Sequence, residues 1–446
     1  MILITQNLSI VPIAIFLLTA IVGVICNRST NLIILVLATL TSLTSSIYLT
    51  SHLLPINYAV GGWNAPVGIE LIVTPLTIFM HVLIDIIATA CLIHSYNHRH
   101  NNLFYSLFSF YLAGAHGIVA SNDLFNIYVF LEIFSISSYL LAAFDNTKGA
   151  LMASFRYLIY GSIGTLLILI AIAFIYIETG TLNISLATQA LGQDGKANII
   201  AICSSLLMFT GLVIKTGSAP FHSWLKAVYI HSNKTVTALF SGITGKVILY
   251  LMLHIYSVFP TTITHHHLNN ILIIIGVVSA CFGSYKAWHN NQLTRLTLAY
   301  SSIAHIGYVV TAIGLHNQLA LKAALYIIFS HAITKTILFL HYNNDWITKV
   351  NLAALAGLPI TSGFVGKWII MTSLDNKLSM FSLLVGLLSF ISIGYCYKIL
   401  YTLKKRHYSK VENIPVYFLT AINIGNGIYP NFMLQLINSI VKHISL

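Results

Sequence analysis

Mostly apolar runs follow one another along nearly the whole chain, with only short polar interruptions between them. Asn31–Thr50, Leu71–His94 and Ile271–Tyr285 are examples, and each meets or approaches the roughly 20 residues that a membrane-spanning helix needs. Only 7% of the 446 residues are charged and 57% are hydrophobic, against roughly 25% charged in a soluble domain. A soluble protein of this size could not cover its surface with so few charges. A β-barrel is a poor alternative, because its strands alternate polar and apolar residues over segments of about 10, whereas these runs are apolar on all sides. The expected fold is therefore an all-α integral membrane protein.

The formal net charge of +12 does not point to nucleic acid, because Lys and Arg are scattered singly between apolar runs. Five cysteines (Cys26, Cys91, Cys203, Cys281, Cys396) stand far apart without a CxxC pair, so they read as small buried apolar residues and not as metal ligands. The first apolar stretch has no basic flank and no small-residue cleavage site, and reads as a retained helix.

About fourteen spans are expected, centred near residues 17, 40, 84, 111, 133, 166, 207, 244, 276, 304, 331, 362, 390 and 425. They form one membrane domain with short loops. Of the 22 Lys and Arg residues, fourteen fall in odd-numbered loops, from Arg28 and Arg99 to Lys404, Lys405, Arg406 and Lys410. Four fall in even-numbered loops or at the termini: Lys196, Lys322, Lys377 and Lys442. Positive residues stay on the cytoplasmic side, so both termini are expected outside. A bacterial inner membrane is the expected location, with an organellar inner membrane as the alternative.

The remaining four lysines, Lys215, Lys246, Lys335 and Lys367, fall inside apolar spans, as does Glu132. Such a group at membrane depth costs about 3 kcal/mol on insertion scales and is kept where it faces a bundle interior or a wet cavity. Lys398, beside the basic cluster Lys404–Arg406, reads instead as a snorkelling residue. Lys215 and Lys367 adjoin helix-breaking motifs, Lys215-Thr-Gly-Ser-Ala-Pro220 and Gly357-Leu-Pro359-Ile-Thr-Ser-Gly363-Phe-Val-Gly-Lys367. Broken helices at matching places in two halves of a chain point to inverted-topology repeats. The expected repeats are 102–257 and 268–403, flanked by helices within 1–97 and 413–440.

Glu132 lies mid-span, and a pair with Lys215 would let each keep its charge until the pair opens. His331 and Lys335 are four apart and share one helix face. With Lys246 and Lys367 they offer a chain of titratable groups for carrying protons. His305, in Leu298-Ala-Tyr-Ser-Ser-Ile-Ala-His305, and His222, in Pro220-Phe-His-Ser-Trp224, are further candidates. His265-His266-His267 has no carboxylate or cysteine nearby and reads as a solvated loop, not a metal site. There is no phosphate-cradling glycine loop, nucleophile–base arrangement, haem motif or dinucleotide motif, so no cofactor or metal is expected on this chain.

These motifs together resemble the antiporter-like membrane subunits shared by respiratory complex I and the Mrp-type monovalent cation/proton antiporters. Thr179-Gly-Thr-Leu-Asn183 and Ser241-Gly-Ile-Thr-Gly-Lys246 also carry the resemblance, which runs from about residue 60 to residue 430. It implies a gating pair at Glu132 and Lys215, a relay lysine at Lys246, a second-repeat connection at His331 and Lys335, and a terminal lysine at Lys367. It also implies that the chain works with other membrane subunits. Gly61-Gly-Trp63-Asn-Ala-Pro66-Val-Gly-Ile-Glu70 is most similar to the D-type subunit of the Mrp-type antiporters, while Ala299-Tyr-Ser-Ser-Ile-Ala-His305 is shared with complex I proteins. The chain departs from the family pattern in having Thr74 at a usually acidic position, a short stretch between Leu340 and Asn351, and a short C-terminus. Three functions follow: a proton-translocating antiporter subunit, a proton-pumping subunit of an NADH:quinone oxidoreductase, and a reduced structural subunit.

Overall fold

The structure, a computed structural model, describes residues 6–97, 100–193, 199–256, 263–290, 294–373, 379–404 and 408–443. Arg99, Lys196, Lys377, Lys405 and Arg406 lie outside the described residues. The chain is almost wholly helical. In order it forms α1 (Val11–Ile25), α2 (Arg28–Leu49), β1 (Ile56–Ala59), β2 (Glu70–Val73), α3 (Pro75–Ser95), α4 (Asn102–Ala120), α5 (Leu124–Ala142), α6 (Lys148–Thr179) and α7 (Ile184–Gln193). Then follow α8 (Ile199–Thr216), α9 (Ser223–His231), α10 (Lys234–Tyr256), α11 (Ile263–His289), α12 (Thr294–Leu315) and α13 (Gln318–Leu340). The chain continues with α14 (Trp346–Ala356), α15 (Ser362–Thr372), α16 (Ser379–Thr402), α17 (Lys410–Ile428) and α18 (Asn431–His443).

Eleven of these helices are long and apolar enough to cross a membrane. The other three expected centres, near 17, 362 and 425, fall on α1, the α14/α15 pair and α17. Helix formation in apolar surroundings follows from the backbone: in lipid every N–H and C=O needs a partner, and a helix supplies them internally. Polar punctuation sets the ends. Asn101, Asp123, Thr147, Asn233, Asn317 and Asp345 each cap a helix N-terminus through a side-chain oxygen.

By packing, the chain forms two compact units. One comprises Met1–Leu92, His98–Lys215 and Val247–Leu268, and the other Ile93–Asn97, Thr216–Lys246 and Asn269–Leu446. In the first, β1 and β2 pair antiparallel, with Ile56 opposite Val73 and Ala59 opposite Glu70. This hairpin joins the turn between α4 and α5: Asn122 N–H donates to the Glu70 carbonyl at 2.9 Å, and Leu124 N–H to the Leu182 carbonyl at 2.8 Å. The quoted Thr179–Asn183 segment thus ties α6 back to the start of α5. In the second unit, α13 is enclosed by protein along its apolar length. A helix so enclosed can carry His331 and Lys335 without showing either to lipid.

Candidate functional site

The first chain break positions Lys215. Helix α8 stops at Thr216, Gly217 takes φ 75°, and the helix resumes at Ser223. Lys215 therefore lies in a last helical turn, where unsatisfied carbonyls favour a cation. It is 6% exposed, and its Nζ donates to Ser135 Oγ at 2.8 Å. Ser135 stands one turn after Glu132 on α5. Glu132 is half-buried, and its charge acts on Lys215. Among the described residues no ion pair within 4.0 Å joins the two, so the hydroxyl holds the ammonium. Close helix packing shapes this place: a Cβ on Gly164 would lie 3.1 Å from Lys215 Cγ, and one on Gly211 would lie 2.6 Å from the Gly164 carbonyl oxygen. Only glycine lets α6 and α8 meet backbone to backbone beside the lysine.

The remaining sequence-predicted residues lie in the second unit. Helix α10 contains a π-turn at Phe240–Thr244, a wide turn that recurs at functional sites. Lys246 follows it, is 5% exposed, and donates to the Ser241 carbonyl. His305 on α12 and His331 on α13 stack with ring centroids 4.4 Å apart. His305 Nδ1 lies 2.7 Å from the Ser301 carbonyl oxygen, and His331 Nε2 is buried with no hydrogen-bond partner among the described residues. Lys335, fully buried, donates to the Leu298 carbonyl at 2.6 Å and to Ser301 Oγ. The charges of Lys246, Lys335 and Lys367 all act on the stacked histidines.

Lys367 rests on the second break. Helix α14 ends at Ala356, and Gly357 takes φ 79°. The Lys367 ammonium donates to the Ala356 carbonyl at 2.7 Å and to Ser392 Oγ at 3.1 Å. It thus sits at the negative end of a half-helix. A Cβ on residue 357 would lie 2.9 Å from Lys367 Cδ and 3.0 Å from its Nζ. The short Leu340–Asn351 stretch still yields a complete half-helix, since α14 and α15 are each 11 residues long. Helix α17 satisfies polar groups around the break: Asn423 Nδ2 donates to Asn351 Oδ1 at 2.7 Å and to Thr334 Oγ1 at 3.2 Å.

His222 closes the first break, half-buried, with its ring 4.5 Å from that of Phe282. Its Nδ1 is buried and without a hydrogen-bond partner among the described residues. Lys398 donates to the Trp288 carbonyl at 2.7 Å and lies over its ring, consistent with a stem packed near a helix end. The His265–His267 tract differs from expectation in backbone: it is helical within α11 and not a loop. Among the described residues no group of three or more His, Cys, Asp or Glu could hold a metal.

Two clusters escaped the sequence reading. Glu70 accepts from Asn122 Nδ2 at 2.8 Å and Asn183 Nδ2 at 2.9 Å. Asp85 on α3 and His116 on α4 meet in the core of the first unit. The signal for Asp85 was present, a carboxylate in the middle of an apolar run. Its partner, 31 residues away, was not marked by any motif.

Residues 121–346 match the family described as NADH:quinone oxidoreductase/Mrp antiporter, TM. The chain is 29% identical over 411 residues to the D-type subunit of the Na(+)/H(+) antiporter of Alkalihalophilus pseudofirmus, covering 82% of each. It is 31% identical over 381 residues to NADH-quinone oxidoreductase subunit N of Desulforudis audaxviator, covering 78% of this chain and 75% of that one. Its fold is similar to a chain of the membrane-bound sulfane sulfur reductase, an archaeal respiratory membrane complex, with TM-score 0.91, 24% identity and 98% of each chain covered.

Proposed function

The chain belongs to the NADH:quinone oxidoreductase/Mrp antiporter membrane family, and on that premise we propose that it translocates protons, coupled to Na+ or K+, as the D-type component of a multisubunit cation/proton antiporter. The observation that carries this reading is the set of partners around the four enclosed lysines. Lys215, Lys246, Lys335 and Lys367 each donate to a serine hydroxyl, a backbone carbonyl or both, and the described residues give none of them a carboxylate partner within ion-pair distance. Breaking a buried ion pair strands a charge at a cost of about 3–5 kcal/mol. A lysine held only by neutral acceptors loses its proton without leaving an opposite charge behind, so it can cycle.

In this reading Glu132 and Lys215 gate proton movement in one unit. Lys246, His331, Lys335 and Lys367, with His305, carry protons in the other, and His222 stands at the first break as a further candidate. Glu132 biases Lys215 by its charge while Ser135 holds the ammonium in place. The repeats are proposed as 102–257 and 268–403, each with one broken helix. The excess of Lys and Arg in odd-numbered loops supports both termini outside, and a bacterial inner membrane is the proposed location. Other membrane subunits are its proposed partners, since both curated relatives are named as subunits.

The 31% identity to a subunit N favours a second reading, a proton-pumping subunit of an NADH:quinone oxidoreductase. Gentle extraction followed by a native gel, stained for NADH oxidation and blotted for this chain, separates the two. Migration apart from NADH-oxidising activity, with proton flux in vesicles that Lys215→Met abolishes, is the expected result. Co-migration with that activity would establish the second reading. Normal flux in the assembled Lys215→Met protein would reduce the chain to a structural subunit.

A further inference from the structure

Asp85 occupies the middle of α3, ten residues from either end, or about 15 Å of helix at 1.5 Å per residue. It is 0% exposed, as is His116, and His81 is 3% exposed. An isolated charge there costs about 3 kcal/mol or more, so the partners decide what Asp85 does. Ser42 Oγ on α2 donates to Asp85 Oδ2 at 2.7 Å. That leaves Oδ1 to His116 Nε2, 3.1 Å away. The other ring nitrogen of His116, Nδ1, meets Nδ1 of His81, and the two imidazoles lie nearly parallel with centroids 4.6 Å apart. Phe16 lies nearly parallel against the His116 ring, with centroids 5.1 Å apart.

We propose that Asp85, His116 and His81 form a second proton-exchange site, separate from the Glu132–Lys215 pair, whose ligand is a single proton. The contacts define three states of equal net charge. With the proton on His81, its Nδ1–H faces His116 Nδ1, and His116 Nε2–H donates to the Asp85 carboxylate. Transfer breaks the His81 Nδ1–H bond and forms a His116 Nδ1–H bond, leaving His116 as imidazolium against carboxylate. A second hop breaks His116 Nε2–H and forms Asp85 Oδ1–H, leaving all three groups neutral. No hop separates new net charge from the cluster, which is what a low-dielectric interior requires.

The cluster also has a direction. His81 and His116 lie between Asp85 and the helix ends at Pro75 and Ala120. Beyond those ends Glu70 is held by Asn122 and Asn183. Tyr250 donates to the Val119 carbonyl at 2.7 Å there, and His254 of the same helix faces Ser121. Helices α1 and α2 bring Phe16 and Ser42 to the cluster, neither of which titrates. Under the orientation proposed above, the site opens toward the outside through Glu70, and its link to transport rests on the translocation reading.

The test is proton flux in vesicles containing the full chain with its partner subunits, in Asp85→Asn, Asp85→Glu and Lys215→Met. Asparagine keeps the size and the Ser42 contact but cannot take the proton. Asp85→Asn is expected to slow flux by about a hundredfold, the low end of what a positioned proton-transfer group contributes, while Asp85→Glu restores most of it. Parent-like flux in Asp85→Asn beside slow flux in Lys215→Met overturns the proposal and leaves the translocation reading standing. Equal slowing by Asn and Glu also overturns it, since a packing role alone explains that. Parent-like flux in all three removes both readings. If Asp85→Asn does not accumulate in membranes, His81→Gln decides: slowed flux supports the site, and unchanged flux overturns it.

Discussion

At the scale of single residues, the site depends on which neutral atom holds each ammonium. Ser135 is the clearest case, because the sequence offered Glu132 as a partner for Lys215 and gave no sign that the Lys215 ammonium donates to the Ser135 hydroxyl. A hydrogen bond to a charged group contributes about 1.5–3 kcal/mol. Ser135→Ala is therefore expected to lower proton flux by about tenfold, with Ser135→Thr close to the parent, as measured in vesicles at matched protein amounts. Unchanged flux in Ser135→Ala would show that the hydroxyl does not position the lysine. The buried lysines and the Glu132 span were legible from composition alone, since a charge in an apolar run announces itself. Their acceptors were not, because Ser135, Ser301 and Ser392 are common residues 80, 34 and 25 positions from the lysines they hold. Asp85 was legible by the same rule as Glu132, a carboxylate inside an apolar run, but its partner His116, 31 positions away, carries no motif.

At the scale of elements, glycine and proline made both breaks legible, while the consequences of each break needed coordinates. Gly357 combines a left-handed φ of 79° with a Cβ position 2.9 Å from Lys367 Cδ. Alanine there carries a backbone penalty of about 1 kcal/mol and pushes the ammonium off the Ala356 carbonyl. Gly357→Ala is expected to lower the thermal stability of the assembled protein and to slow flux, whereas Gly425→Ala, where a Cβ meets nothing within 4 Å, leaves both near the parent. The start of α14 supplies a pH test. Burial alone would raise the Asp345 carboxyl, but the Thr348 backbone N–H and the His341 ring, whose Nε2 is 2.5 Å away, hold it below the ordinary carboxylate value. A lowered folded value means that its stabilisation is complete above the unfolded value, about 3.9, and is lost as pH falls through the folded one. Amide exchange at Thr348 should therefore accelerate only below about pH 4 in the parent, and Asp345→Asn should remove that acid dependence. The β1–β2 hairpin and the short helices α7 and α18 were not legible, because four-residue strands and helices too short to span leave no run of spanning length.

At the scale of the whole molecule, the proposed sidedness rests on counting basic residues, and the expected span count says which loops would share a side. If α1, the α14/α15 pair and α17 cross together with the eleven long apolar helices, the crossings number fourteen and both termini share a side. The loop before β2 and the loop between α13 and α14 then face opposite sides, because an odd number of expected spans separates them. Asn64 and Asn344 are exposed in those loops, so each can carry a reporter cysteine. Of the native cysteines, Cys91 and Cys396 are buried and Cys203 lies exposed within the apolar helix α8, so a cysteine-free or background-corrected chain isolates the reporter. An impermeant thiol reagent added to intact cells should label Asn64→Cys and spare Asn344→Cys, and inside-out vesicles should reverse the pattern. Labelling of Asn344→Cys alone from outside would invert the topology, and with it the side toward which Asp85, His116 and His81 open. Labelling of both from one side would mean an even number of crossings between them, so that one of the expected spans from α3 to α13 fails to cross. The positive-inside bias makes that outcome the costly one, since it would place some of the odd-numbered loops, and their Lys and Arg residues, on the outer face.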